Sequence, residues 1–152
     1  MKITRMLFLA ILANFLWFGI SFGQADSDRQ AVEKAILHYV DGLYEADPAQ
    51  IEMGVYPGLA KRGFWRPADE QQYADMSPMS FEELKELAGK WNADGWLPED
   101  APKEITIFEV QDKTAAAKLT AHWGTDYFHL AKIDGQWKIV NVLWQSPTPP
   151  SN

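Results

Sequence analysis

At 152 residues, with 47% hydrophobic and 13% aromatic side chains, the chain supports one packed domain with short appendages. Its formal charge of -7 repels phosphate backbones, so nucleic acid is excluded as an expected partner. The cysteine count is zero, which excludes disulfides and a lipid-carrying cysteine behind an export signal.

The chain opens with Lys2 and Arg5, followed by an apolar run from Met6 to Ile20 and the small-residue pattern Ser21-Phe22-Gly23. A charged start, a short apolar core and small residues at the cut predict a signal peptide over 1–23, cleaved after Gly23. The expected destination is the periplasm or the exterior. A retained anchor is the alternative, although the run is short for a span and Asn14 interrupts it. Cleavage removes two basic residues and no acidic one, taking the charge from -7 to -9. No membrane association is expected afterwards.

The domain is expected over 24–144. Ser27 and Asp28 can cap a helix, with Gln30 at the capping-box spacing from Ser27. Val32, Ile36, Tyr39, Val40 and Leu43 then share one stripe of an amphipathic helix that Asp47-Pro48 breaks. A short second helix is predicted from Pro48 to about Met53, and a first strand within Val55 to Trp65. Ser80-Phe81-Glu82-Glu83 forms a capping box, after which Phe81, Leu84, Leu87, Ala88 and Trp91 recur at helical spacing. Asp94-Gly95 ends that helix.

Four runs of strand character follow: Glu104–Val110, Thr114–Trp123, Asp126–Ile133 and Gln136–Trp144. The short turns between them, at 111–113, Gly124-Thr125 and Asp134-Gly135, predict an antiparallel meander. Residues 145–152, with three prolines, are expected to be a disordered tail. Helices followed by a curled sheet make an α+β domain whose helices cover one sheet face.

The segment from Asp126 to Asn141 resembles the C-terminal hairpin of the "putative lumazine-binding" family. Residues 35–44 resemble that family's opening helix, and Tyr56-Pro57-Gly58-Leu59-Ala60-Lys61-Arg62-Gly63 resembles a later segment. The family lies within the nuclear-transport-factor-2-like superfamily. The resemblance implies a cone: three N-terminal helices packed on a strongly curved, mainly antiparallel sheet. It also implies a homodimer formed through the sheet, and it transfers no firm activity. A cone of this kind is expected to bind a small apolar or aromatic ligand or a protein partner, with no cofactor. The alternative is a small hydrolase, isomerase or dehydratase using Tyr39 and His129.

Ketosteroid isomerases share the fold and place a tyrosine donor on the first helix; by similarity Tyr39 falls there. Tyr39 also lies within about 20° of the apolar centre of its helix at 100° per residue, so it is either a ligand-facing hydroxyl or a core residue. The isomerase's base position falls near Gly63, and glycine accepts no proton.

His122 and His129 share one sheet face if Gly124-Thr125 is the turn, at a diagonal β-carbon spacing of about 7 Å or less. Leu119, Ala121, Trp123, Phe128 and Leu130 occupy the opposite, more apolar face, which turns both histidines outward. Alignment with the isomerase instead turns His129 inward. Two histidines without a third ligand predict no metal site. Asp126 is read first as a turn-fixing side chain, and otherwise as a ligand- or histidine-orienting group. Lys61, Arg62 and Arg66, interleaved with Phe64 and Trp65, are read first as solvated basic tips of a strand. The other reading has them receiving an acidic or planar ligand. The candidate binding residues are therefore Tyr39, Trp65, Trp91, His129 and Asp126. Trp91 and Trp96 flank the turn where this fold's cavity opens, and Trp137 reads as core.

Overall fold

The computed structural model describes residues 24–148. The expected signal peptide over 1–23, and residues 149–152 of the expected tail, lie outside the described residues. The first helix, α1, occupies 24–44 and buries Val32, Ala35, Ile36, Tyr39, Val40 and Leu43, the stripe its periodicity requires. Ser27 and Asp28 lie inside α1 instead of capping it, because the helix is already formed at Gln24. The Asp28 carboxylate instead accepts hydrogen bonds from Lys132 Nζ at 2.7 Å and Trp137 Nε1 at 3.0 Å.

Helix α2 spans Pro48–Gly54; the Asp47 side chain caps it by accepting from the Ala49 N–H, and a proline at the first position loses no hydrogen bond. Strand β1, Val55–Phe64, follows without a loop. A short β2, Ser77–Met79, precedes α3, Phe81–Trp91, whose start carries the complete reciprocal capping box of Ser80 and Glu83. The remaining strands are β3 (Lys103–Val110), β4 (Thr114–Ala121), β5 (Gly124–Ile133) and β6 (Gln136–Gln145).

These strands make one sheet in the order β2-β1-β6-β5-β4-β3. All neighbours are antiparallel except β1 and β6, which run parallel. The sheet is curved, and three ladder irregularities mark its bends, between Val55 and Ala60, Ile107 and Glu109, and His129 and Leu130; such bulges bend a strand and increase its twist. The third inserts Val140 into β6. Trp137 and Ile139 before it and Val142 after it are therefore all buried, which strict alternation forbids. The apolar core fills the space between α1 and the inner faces of β4, β5 and β6.

Two expectations need correction. The β4–β5 turn is His122-Trp123, with Ala121 opposite Gly124. Gly124 belongs to the strand, where a β-carbon would lie 2.0 Å from the Gln145 carbonyl; the glycine serves the close approach of β6. The shift relative to the expected register is even, so inner and outer faces are unchanged. The tail does not begin at Gln145: that residue ends β6, Ser146 is buried, and the Pro147 carbonyl accepts from Arg66. By contrast Asp134-Gly135 forms the expected tight turn, with φ of 49° and 80°, as a two-residue hairpin demands.

Candidate functional site

A cavity of about 670 Å³ opens between α1, α3, the end of β1 and the β4–β5 turn. Its walls are apolar and rich in indoles, with Trp65, Trp91, Trp96, Trp123 and Trp144 all lining it. α3 contributes Leu84, Leu87 and Trp91 because residues three and four apart stand on one helix face. Trp91 stacks on Tyr44 at 5.8 Å, and meets Trp96 and Trp123 edge to face at 4.8 and 5.3 Å. These are the arrangements in which aromatic pairs attract beyond their buried area.

At the inner end lies a polar cluster. Tyr39 donates its hydroxyl proton to Asp126 Oδ1 at 3.2 Å and accepts from Lys61 Nζ at 2.8 Å. Lys61 also reaches Asp126 Oδ1 at 3.4 Å, and Trp123 Nε1 donates to Asp126 Oδ2 at 2.5 Å. The Lys61 ammonium lies 5.2 Å from the Trp144 ring centroid and 5.4 Å from that of Tyr39, within cation–π range. Asp126 is fully buried and Lys61 is 6% exposed.

The electrostatics follow from that burial. Desolvation lowers the Lys61 pKa, opposed by attraction to Asp126. Desolvation, reinforced by the charge of Asp126 and the bond to it, holds the Tyr39 phenol well above its ordinary range. Tyr39 therefore remains protonated, able to donate and accept but not to act as a phenolate base.

Each residue named from the sequence has a definite place. Tyr39 is 1% exposed, its hydroxyl in the polar cluster. Trp65 stands at the mouth, 55% exposed, and Trp91 forms part of the wall. Asp126 is not a turn residue: it shares the inner face of β5 with Phe128 and Leu130 and points at Lys61. Lys61 and Arg66 are not solvated tips; both are buried, whereas Arg62 is exposed. His129 is corrected as a ligand-facing candidate, because it lies exposed on the outer face, 3.3 Å from Asn141, so it cannot partner Tyr39. The pairing of His122 with His129 on one face also fails. The true turn carries His122 to the cavity mouth, 5.3 Å from Trp96 between ring centroids.

Reasoning from sequence did not bring Trp123 and Trp144 into the site, and placed Lys61 at a ligand only in its second reading. For Trp123 a signal existed, since it sits three residues before Asp126 at a hairpin. Gly63 of β1 pairs with Trp144 of β6: a β-carbon there would lie 2.2 Å from Trp144 Cδ1 and 2.3 Å from the Trp144 carbonyl oxygen.

Comparison with known proteins gives a family and a fold. The family model described as "Putative lumazine-binding" matches residues 27–145. No curated protein matches the chain. Among solved structures, a nuclear-transport-factor-2-like protein of unknown function from Shewanella baltica is similar at 17% identity and a TM-score of 0.59, covering 82% of this chain and 96% of its own. A nuclear-transport-factor-2-like protein with a cystatin-like fold from Novosphingobium aromaticivorans is similar at 12% identity and a TM-score of 0.57, with 84% and 86% covered. A protein described as a "Putative Scytalone Dehydratase" from the same bacterium is similar at 13% identity and a TM-score of 0.52, with 83% and 95% covered. At these identities the likeness concerns the fold.

Proposed function

Since the chain belongs to the "Putative lumazine-binding" family of the nuclear-transport-factor-2-like fold, we propose that its cone binds a small, flat molecule in a protein exported from the cytoplasm. The observation that carries this reading is the indole-lined cavity of about 670 Å³ with a hydrogen-bonding cluster at its inner end. Apolar walls with a few convergent polar groups are the usual composition of a small-molecule site. Flat indole faces favour a planar ligand, and the family's description favours a small one.

Binding is preferred to catalysis because the acid–base pair considered from the sequence does not meet. His129 lies across the sheet from Tyr39, and the Tyr39 phenol is held in its protonated form. Proton abstraction requires a base within hydrogen-bond reach of the reacting atom.

A panel of aromatic and heterocyclic compounds should raise the melting temperature of the protein, and Trp65→Ala should diminish that rise. Absence of any shift across a broad panel would count against the reading. Export rests on Lys2, Arg5, the apolar run and Ser21-Phe22-Gly23. N-terminal sequencing of protein taken from its host should begin at Gln24, and a chain retained whole in the cytoplasm would refute export.

A further inference from the structure

The cavity wall carries an imbalance that the fold itself does not explain. The chain has 21 acidic and 14 basic residues counting Lys and Arg, yet the lining contains Lys61, Arg66 and His122 and no Asp or Glu. Asp126 stands behind that wall. It is fully buried, and both its oxygens face Tyr39, Lys61 and Trp123.

Arg66 is the sharper case. The residue is 8% exposed, and its guanidinium is held by main-chain carbonyls. Nη1 donates to Pro67, Ala68 and Glu70, and Nη2 to Pro147. Among the described residues no carboxylate lies within ion-pair distance of it, so its charge meets only dipoles. Its Nε–H is buried and has no acceptor. A buried donor left unmade is costly, and a guanidinium never loses its proton to escape that cost.

Lys61 has a counter-charge in Asp126 at 3.4 Å, but it too keeps a donor to spare. An ammonium has three donors, and the Lys61 contacts engage two acceptor atoms, the Tyr39 hydroxyl and Asp126 Oδ1. The fully charged side chains on this wall are therefore both cations, Lys61 and Arg66, each with an N–H to spare and set among aromatic rings. From this we infer that the ligand is an aromatic carboxylate, its ring between the indoles and its carboxylate toward Lys61 and Arg66. The inference rests on the binding reading above and narrows it to one chemical class. The carboxylate supplies acceptors for these N–H groups and the negative charge that Arg66 lacks, while the rings displace water that the indoles hydrogen-bond poorly.

The test compares three ligands of one shape by calorimetry on the mature protein: 2-naphthoate, 2-naphthamide and 2-naphthylmethylamine. Naphthoate should bind at least tenfold more tightly than the amide, the amine should bind least, and the preference should weaken as salt rises. Equal affinity for naphthoate and amide would overturn the assignment and leave the binding reading intact. Binding of none of the three, while heterocycles still shift the melting temperature, would overturn it as well. Failure of every compound would remove both. Arg66→Gln should reduce the naphthoate preference to less than threefold. If that variant does not fold, Lys61→Met with Asp126→Asn, which removes the Lys61 charge together with its counter-charge, is expected to give the same reduction. A folded variant of either kind that keeps the tenfold preference refutes the role given to these cations.

Discussion

Two carboxylates on this fold receive the same pair of partners. Asp28, near the start of α1, accepts from Lys132 Nζ and Trp137 Nε1. Asp126, on β5, accepts from Lys61 Nζ and Trp123 Nε1. The first pair ties α1 to the β5–β6 hairpin, and its side chains keep 12% and 19% exposure. The second is nearly dry, at 0% and 5%, gains the Tyr39 hydroxyl, and borders a cavity. The same lysine–tryptophan pair of donors thus forms a strap in one place and the inner end of a pocket in the other. Solvent access and adjoining empty space separate the two roles, whereas residue identity does not.

The comparison breaks most visibly at Asp126. Asp126→Ala leaves the Lys61 ammonium buried without its counter-charge and should destabilise by about 3–5 kcal/mol, read from urea unfolding. Lys61→Met combined with Asp126→Asn should recover more than half of that loss, because neither member of the pair then leaves the other's charge buried alone. A single variant with near wild-type stability would show that the pair is wetter than its burial implies.

At Asp28 the expected effect is smaller, about 1 kcal/mol or less for Asp28→Asn, because its partner is partly solvated. Here pH sharpens the contrast. The hydrogen bond from Lys132, then that from Trp137, depresses the Asp28 pKa below its ordinary value of 3.8. A depressed carboxylate contributes stability that is present above its unfolded pKa and lost as pH falls through the folded one. The gap between wild type and Asp28→Asn should therefore be constant above pH 5, then narrow as pH drops below about 4. A gap that widens on acidification would contradict the assignment. Smallest of all, His129→Ala on the outer face should change stability by no more than about 0.5 kcal/mol and leave ligand affinity unaltered. A loss of affinity would mean that the outer face contributes to the site.

The difference between strap and pocket was only partly legible in the sequence. The capping box at Ser80 and Glu83, the stripe on α1 and the Asp134-Gly135 turn are local signals, and local chemistry fixes them. The parallel pairing of β1 with β6 is long-range, and β1 reads VYPGLAKRGF, with no alternation to announce a strand buried on one side. Asp126 was legible by parity, since it alternates with Phe128 and Leu130, but an acidic residue beside a glycine also reads as a turn. Lys61 and Arg66 carried no such signal. Basic side chains are seldom fully buried unless paired. The Lys61 partners lie far away in sequence, on α1 and β5. Arg66 is held by carbonyls of the loop that follows it and of Pro147, none of which a side-chain pattern announces. The tryptophans showed as an excess in composition, but their convergence is a property of the assembled fold.

The pairing of Gly63 with Trp144 bears on which chemistry this cone admits. Ketosteroid isomerases, which Tyr39 resembles in placement, carry their base near the position of Gly63, yet any side chain there would meet both the ring and the main chain of β6. A carboxylate at position 63 would prise apart two paired strands and displace Trp144 from the wall of the pocket. Within this cone, altering which molecule is held therefore asks less of the backbone than placing a base at that position.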